Sequence, residues 1–213
     1  LVNNATVALS TITHLNLSAN PLLGEGAIFL AETLRRQTLP SLKCLGLEDC
    51  CISDDGLVAL MSALEENETL EELDFQENTF GGQGYMALAS SLPNIKGLRQ
   101  IDFSWTTSDP SVMSAMLEGF RENTSLHDLG LSGGEHSKDW LEQVNFFLDR
   151  NQFSRLLQDS DTDDRASLGL WSRALGSVAM RPDVLFHVLT SKTGLIRATP
   201  SEDSKKRKRD DSE

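Results

Sequence analysis

A nine-residue pattern of apolar and polar positions recurs along the first 150 residues of this 213-residue chain. Its clearest copy, residues 70–78, is apolar at the first, fourth and sixth places and has Asn at the ninth. The alternation of apolar and polar residues inside the motif predicts a short strand with one buried face. The sixth places of five copies, separated by 30, 28, 28 and 28 residues, are Leu17, Leu47, Phe75, Phe103 and Leu131.

The second half of each copy has the spacing of an amphipathic helix. Apolar residues stand 13 and 17 residues after each sixth place, which is the i, i+4 spacing of one helix face. Helix-start signals precede three of these segments, at residues 53–55, at Asp109-Pro110 and at Ser137. Because one strand–helix unit cannot bury its own apolar face, we expect the units to stack into an α/β solenoid. The predicted helix-face residues are Leu30, Leu34, Leu60, Leu64, Leu88, Leu92, Met116, Phe120, Val144 and Leu148.

The motif L-x-x-L-x-L-x-x-N/C and its 28-residue period resemble the ribonuclease-inhibitor-like class of leucine-rich repeats, over about residues 9–150. The resemblance implies a right-handed horseshoe with strands on its concave side and helices outside. In that family the ninth side chain turns inward and bonds backbone groups of the loop that leaves the strand. In the last two copies the ninth residue is neither Asn nor Cys, so the motif becomes less regular toward the C-terminus. The ninth places are Asn20, Cys50, Asn78, Thr106 and Gly134.

Changes in composition divide the chain into three segments. We predict a leucine-rich-repeat domain in residues 1–150, a helical C-terminal cap in 151–197 and a disordered tail with a basic cluster in 198–213. The cap should cover the exposed core of the last repeat, and the tail contains no large apolar side chain that could fold it. Because the chain begins with Leu1 and shows no polar capping unit before its first repeat, we interpret it as a C-terminal fragment of a longer protein.

The net charge of −13 narrows the partners that the chain can bind. The tail holds five basic and five acidic residues, so the whole negative excess lies on residues 1–197. Nucleic-acid binding through the body is disfavoured because phosphates need a basic surface, whereas a basic protein partner is compatible with this charge. The sequence has no stretch of about 18 apolar residues, so we expect no membrane-spanning segment in it.

The strand positions that should point away from the helices are polar, are acidic in the middle repeats and contain neither Lys nor Arg. One interpretation is a partner-binding surface on the concave side, with Trp105 as an exposed aromatic anchor. The other is a solvated polar sheet face in an acidic protein, and the sequence leaves both open. The candidate partner-binding residues are Glu48, Glu72, Asp74, Gln76, Asp102, Ser104, Trp105 and Asp128.

The sequence shows no catalytic or metal-binding motif. The four His residues lack metal-pair spacing, and no nucleophile-elbow, zinc-protease or phosphate-loop motif occurs. The three cysteines, Cys44, Cys50 and Cys51, suggest no disulfide framework and indicate a reducing compartment. We therefore predict a non-enzymatic interaction scaffold without cofactor or metal, located inside the cell in the cytoplasm or the nucleus.

The family resemblance implies two other functions. A regulator similar to the Ran GTPase-activating protein would dock a small GTPase on the horseshoe, but the predicted concave positions supply no arginine. A ribonuclease inhibitor is a third hypothesis, although that family is far richer in cysteine than this chain.

The tail carries a further candidate site. A run of basic residues matches a monopartite nuclear import signal, and an extended basic segment can lie in an acidic groove of an import receptor. A solvated segment of mixed charge is the alternative interpretation. The run consists of Lys205, Lys206, Arg207, Lys208 and Arg209.

We expect residues 198–213 to carry into the nucleus a fluorescent protein that is too large to diffuse through nuclear pores. The signal should act by its charge and without the repeat domain. Microscopy of the fusion tests this, with a control fusion in which residues 205–209 are replaced by Ala. Cytoplasmic retention of the unaltered fusion would remove the import hypothesis.

Overall fold

The structure is a computed structural model, and it describes residues 11–134 and 136–159. Within these ranges strands and helices alternate, as the repeat pattern predicts. The strands are β1 His14–Asn16, β2 Cys44–Gly46, β3 Glu72–Phe75, β4 Gln100–Ser104 and β5 Asp128–Ser132. The helices are α1 Leu23–Arg35, α2 Asp54–Glu65, α3 Gly82–Ser91, α4 Pro110–Glu122 and α5 Lys138–Asp159.

The strands form one parallel sheet whose order follows the chain, β1-β2-β3-β4-β5. β1 pairs with β2 at an offset of 30 residues, so that Leu15 lies beside Leu45, and the later pairs have offsets of 28. These offsets equal the spacings of the motif, because each helical connection returns the chain to the sheet one strand further along. The predicted repeat and its α/β solenoid architecture are confirmed.

The core lies between the sheet and the helices. All ten predicted helix-face residues are buried, together with inward strand residues such as Leu45, Leu73 and Ile101. Aromatic rings continue the stack: Phe75 and Phe103, at the same place in neighbouring repeats, lie face to face with ring centroids 5.6 Å apart. Each repeat thus buries its apolar face against the next one.

The three predicted helix starts are observed. Ser53 Oγ accepts a hydrogen bond from the Gly56 N–H at 3.4 Å before α2. Asp109 Oδ1 accepts from the Ser111 N–H at 2.8 Å before α4. Ser137 Oγ accepts at 3.2 Å from the backbone N–H of α5 three residues further on. Each cap satisfies a backbone N–H that the first helical turn would leave without a partner.

The ninth-place side chain of the motif ties consecutive repeats together, and Asn78 does so most completely. Its Nδ2 donates to the carbonyl oxygens of Leu47 at 2.8 Å and Phe75 at 3.0 Å. Its Oδ1 accepts from the backbone N–H groups of Cys50 at 3.2 Å and Ile52 at 2.9 Å. Because Asn78 is only 1% exposed, water does not reach these backbone groups, and losing the Asn78 bonds would leave them without partners.

Later repeats meet the same need with other residues. The Tyr85 hydroxyl of α3 donates to the carbonyl of Ser104 at 2.7 Å and accepts from the backbone N–H of Thr106 at 3.0 Å. Gly134 adopts a φ of +66°, and a Cβ there would lie 2.7 Å from the carbonyl oxygen of Trp105. A side chain is therefore excluded at Gly134. The motif weakens toward the C-terminus while the stacking continues, since Tyr85 supplies hydrogen bonds from the helix layer.

A second column of buried asparagines stands three residues before the first place of the motif. Asn67 Oδ1 accepts from the Leu70 N–H at 2.9 Å, and Asn123 Oδ1 accepts from the Leu126 N–H at 2.8 Å. Asn151 of α5, 28 residues after Asn123, donates to the carbonyl of Leu126 at 2.7 Å. These side chains close the turns between helices and strands, so the repeat spacing extends into α5.

The last described helix, α5, runs through residue 150, where the sequence predicts a change from repeats to cap, and is described as far as Asp159. The first compact unit of the chain ends at Arg155. The rest of the predicted cap, residues 160–197, and the predicted tail, residues 198–213, lie outside the described residues.

Replacing Leu73 with Ala should lower the free energy of unfolding by about 2–5 kcal/mol, because it removes a buried side chain from the centre of the sheet. Since each repeat packs on its neighbours, hydrogen exchange should also rise in β2 and β4. Chemical denaturation and hydrogen-exchange mass spectrometry measure both effects.

The control for this change is Val58→Ala on α2, where the side chain is 37% exposed and the loss should stay below about 1 kcal/mol. Faster exchange confined to residues 70–78 in the Leu73 variant would contradict stacking between repeats.

Candidate partner-binding surface

The side of the sheet that points away from the helices is the candidate partner-binding surface, which we call the open face. Along each strand its side chains alternate with core residues, as Glu72 and Asp74 do around buried Leu73. The register aligns the open face in two rows. The first row is His14, Cys44, Glu72, Gln100 and Asp128, and the second is Asn16, Gly46, Asp74, Asp102 and Gly130.

Three carboxylates, Glu72, Asp74 and Asp102, share the centre of the open face. Asp74 and Asp102 are register partners on β3 and β4, which places their backbones about 4.8 Å apart. Within residues 11–134 and 136–159, none of the three forms an ion pair with Lys or Arg. The centre of the open face therefore holds negative charge that no neighbouring cation compensates.

Hydrogen bonds orient two of these carboxylates. Asp102 Oδ2 accepts from Gln100 Nε2 at 2.8 Å, and Asp74 Oδ1 accepts from the backbone N–H of Gln76 at 3.0 Å. Both aspartates therefore stay acceptors in fixed positions, with oxygen atoms still available to an incoming donor.

The Cys44 thiol belongs to the same face but is not a nucleophile at neutral pH. Burial, a hydrogen bond from Cys44 Sγ to Glu72 Oε2 at 3.2 Å, and the charges of Glu72 and Glu71 raise the pKa of Cys44 to about 11. The thiol therefore stays protonated and serves as a donor to Glu72.

A cleft of about 400 Å³ lies on the open face, and Gly46 is among its lining residues. Residues of β1 to β4 line it, among them Asn16, Leu45 and Asp74. A Cβ on Gly46 would lie 3.1 Å from Asn16 Oδ1, which is a tight contact, because the Asn16 side chain already lies beside this glycine.

The structure brings together three of the predicted partner-binding residues and spreads the others. Glu72, Asp74 and Asp102 are adjacent, as described above. Gln76 and Glu48 follow their strands, and Asp128 is exposed on β5 at the far end of the first row.

Trp105 is not part of the open face, and the prediction of an exposed aromatic anchor is wrong. Its side chain is fully buried. The indole packs against Tyr85 and Trp140, with ring centroids 5.0 Å and 5.5 Å away. Trp105 therefore stabilises the packing between α3, β4 and α5 and cannot contact a partner from the folded chain.

Backbone conformation explains the burial of Trp105. At the same place in the two preceding repeats, Asp49 and Glu77 adopt left-handed φ values of 50° and 55°, which turns the chain out of the strand. β4 stays extended through Ser104, so the two-residue alternation continues for one more step. Trp105 consequently follows Phe103 into the core.

Ser104 keeps its place on the outer side of β4 but is only 7% exposed. Its Oγ accepts from the backbone N–H of Glu77 at 2.7 Å and lies 2.8 Å from Ser132 Oγ. This hydroxyl is used in joining three consecutive repeats, so its predicted surface exposure is wrong.

The sequence interpretation missed the place where the basic residues gather. Lys43 Nζ lies 2.7 Å from Glu71 Oε1, and Arg99 Nη1 lies 2.6 Å from Glu71 Oε2. The hydrogen bond from Lys43 contributes most to holding the pKa of Glu71 below its ordinary value. His127 continues this row, and burial, reinforced by the charge of Arg155, lowers its pKa.

The signal for this row is present in the sequence. The second place of the motif, immediately before each of the strands β2 to β5, holds Lys43, Glu71, Arg99 and His127. The cations thus lie along the N-terminal ends of the strands, where they pair with the Glu71 carboxylate. The centre of the open face is left acidic.

The described residues show no other chemical centre. No group of three or more His, Cys, Asp or Glu side chains within them is placed to hold a metal ion. None of the helices in the described ranges combines the length and apolar content needed to cross a bilayer.

A leucine-rich-repeat family model matches residues 8–31, 38–61 and 66–89, which include β1, β2 and β3. The chain is 36% identical over 83 residues to human NACHT, LRR and PYD domains-containing protein 13, and 36% identical over 74 residues to mouse ribonuclease inhibitor. These alignments cover 39% and 35% of this chain, and 8% and 16% of the two proteins. The chain therefore spans less than a fifth of these relatives.

Solved structures show the same architecture. The leiomodin-1 domain described as actin-binding site 2 has a TM-score of 0.63 at 21% identity, covering 73% of this chain and 92% of that domain. The tropomodulin C-terminal domain from Caenorhabditis elegans has a TM-score of 0.62 at 18% identity, covering 73% and 96%. At these identities the likeness shows the fold alone.

Proposed function

This chain is a leucine-rich-repeat protein of the ribonuclease-inhibitor-like type, and from that premise we propose that it is a non-enzymatic scaffold that binds a protein partner on the open face. The observation that carries the proposal is the set of uncompensated carboxylates Glu72, Asp74 and Asp102. They lie on the sheet surface that the described helices leave uncovered.

The charge of this surface defines the partner that fits it. Side-chain carboxylates that lack a cation in their own protein gain most from a positively charged protein surface. Exposed pairs are screened over about 8 Å at physiological salt, so the attraction should weaken as ionic strength rises. The proposed partner is therefore basic, and its association should depend on salt.

The chemistry of the open face also supports a binding role over a catalytic one. Asp74 and Asp102 are neighbours, but they lie on a sheet surface and are held by Gln100 and Gln76 rather than by a general acid or base partner. The Cys44 thiol is protonated at neutral pH because its pKa is raised. These groups can accept hydrogen bonds and ion pairs.

Two alternative partners receive less support. The leiomodin-1 domain is an actin-binding site, but a likeness at 21% identity carries the fold and not the ligand. A regulator of a small GTPase that works by an arginine would need that residue on the binding surface, and both rows of the open face lack arginine.

We also propose that the protein acts inside the cell. Cys44, Cys50 and Cys51 are free, and Cys50 donates through its Sγ to the carbonyl of Leu17 at 3.2 Å in the role that Asn has elsewhere. A reducing compartment keeps such thiols available for this structural use. Import into the nucleus through residues 205–209 remains a separate proposal.

Replacing Asp74 and Asp102 together with Lys should abolish capture of the basic partner in pull-downs from cell extract. The milder pair Asp74→Asn with Asp102→Asn retains size and acceptor oxygens and should weaken binding about tenfold, equivalent to about 1.4 kcal/mol. Binding to the unaltered chain should fall steadily between low and physiological salt. Pull-down with quantitative mass spectrometry measures each effect.

The matched control is Glu68→Lys with Glu122→Lys, which makes the same change in charge at exposed positions away from the open face. Thermal unfolding should show that all variants are folded. If the Asp74 and Asp102 variants retain their partners while folded, the open face is not the binding surface.

A further inference from the structure

The solvent side of the helices carries exposed apolar side chains at one repeated place. Ile28, Val58 and Met86 occupy the same position on α1, α2 and α3, and all three are exposed. Phe29, next to Ile28, is 76% exposed. Apart from Leu23 in the first turn of α1, these four are all the large apolar side chains that are exposed within the described ranges. Their concentration on three neighbouring helices, rather than scatter over the surface, indicates a contact surface.

Alanines join these side chains into one continuous surface. Gly56 of α2 faces α1, since a Cβ on it would lie 2.8 Å from Ala27 Cβ. Ala59 stands three residues after Gly56 and therefore lies on the same side of α2, next to α1. Ala87 has the same place on α3, and both alanines are half-buried. We call the resulting surface the apolar row, and it consists of Phe29, Ile28, Ala59, Val58, Ala87 and Met86.

Acidic side chains without a cationic partner border the apolar row on the side of the helix N-termini. Glu25 and Asp55 lie in the first turns of α1 and α2, three residues before Ile28 and Val58. Both are exposed, and within the described part of the chain neither forms an ion pair with Lys or Arg. The net charge of −13 on the whole chain adds to their negative potential.

The other border of the apolar row is neutral or compensated. Ser62 and Ser90 stand there on α2 and α3. The corresponding residue of α1, Glu32, is paired with Arg35 at 3.1 Å and with Arg36 at 2.6 Å. The row therefore has uncompensated negative charge along one side only.

The spacing of the apolar row defines the segment that fits it. Packed helices lie about 8–10 Å apart, so the row presents an apolar group at about that interval. A helix rises about 1.5 Å per residue, so side chains seven residues apart are separated by about 10.5 Å and stay on nearly the same face. In an extended strand, which rises about 3.3 Å per residue, side chains about 10 Å apart point to opposite faces. The row therefore matches an amphipathic helix that crosses α1, α2 and α3.

We propose that the apolar row is a second partner-binding surface, which binds a basic amphipathic helix of another protein. The apolar stripe of that helix lies on Ile28, Val58 and Met86, and its Lys or Arg side chains lie on the side of Glu25 and Asp55. A second copy of this chain and an anionic membrane fit less well, because a net charge of −13 repels both. The proposal goes beyond the open face and uses none of its residues.

A titration by NMR of the full chain, labelled at its Ile, Val and Met methyl groups, tests the proposal. The probe is an acetylated and amidated peptide with three copies of Leu-Gln-Ala-Leu-Lys-Ala-Gln, which places Lys on one side of a Leu stripe. We expect saturable shifts of the Ile28, Val58 and Met86 methyl signals with a Kd in the micromolar range. A scrambled peptide keeps the composition and loses the stripe, so it should bind the row about tenfold more weakly.

Replacing Val58 and Met86 together with Lys should lower the affinity for the probe about tenfold, because it removes apolar contacts and adds repulsion. Both side chains are exposed, so the variant should keep its fold, which thermal unfolding checks. The matched control is Ser114→Lys with Gln152→Lys, which makes the same change in charge at exposed positions outside the row.

The charged border has its own matched pair of substitutions. Asp55→Asn should weaken binding of the probe about threefold, since exposed ion pairs contribute less than about 1 kcal/mol. Asp139→Asn, at the same place in the first turn of α5 but outside the row, should leave the affinity unchanged.

Absence of saturable shifts at the row, equal binding of the scrambled peptide there, or full binding to the folded Val58 and Met86 variant would each overturn helix docking. Binding to vesicles of phosphatidylcholine and phosphatidylserine in equal parts, or dimerisation in sedimentation, would also overturn it if the same variant abolished the effect. That variant leaves Asp74 and Asp102 intact, so capture of the basic partner on the open face should persist. The two proposals therefore fail separately.

Discussion

The constraint on which the whole structure depends is that every repeat must return the chain to the sheet in register, one strand spacing further along. That spacing is about 4.8 Å, and a slip of one residue would exchange the core side and the outer side of the strand. The register of Leu45 with Leu73 therefore also fixes the register of Gly46 with Asp74. The open face and the core are therefore the two sides of one strand register.

Two kinds of buried polar contact keep this alignment, and both lie outside the apolar core. Asn78, which follows β3, bonds backbone groups of two repeats. Asn123 also bonds backbone groups, in the turn that precedes β5. Because buried backbone groups need partners, these amides limit how far neighbouring repeats can shift. The open face shares that rigidity, so Asp74 and Asp102 are held in fixed positions.

Features that follow from the repeat period can be predicted from the sequence, whereas features that depend on contacts between repeats cannot. Strand register, helix faces and the adjacency of Asp74 and Asp102 follow from the 28-residue spacing. Burial of Trp105 does not, because it depends on whether the chain takes a left-handed turn at that place, as Glu77 does, or stays extended. The side chains that lie beside the two glycines of the second row, Asn16 at Gly46 and Asp102 at Gly130, could not be foreseen either, since they too are contacts between repeats. The separation of basic from acidic residues could have been predicted from the sequence. The second place of the motif holds the basic residues, whereas the outward strand positions hold the acidic ones.

Carboxyl footprinting tests the central claim most directly. The full chain, alone and with its captured partner, would be labelled with carbodiimide and glycine ethyl ester and analysed by mass spectrometry. We expect the partner to protect Glu72, Asp74 and Asp102 and to leave exposed Glu68 and Glu122 labelled as before. Protection of Glu68 and Glu122 with full labelling of the three open-face carboxylates would contradict binding on the open face.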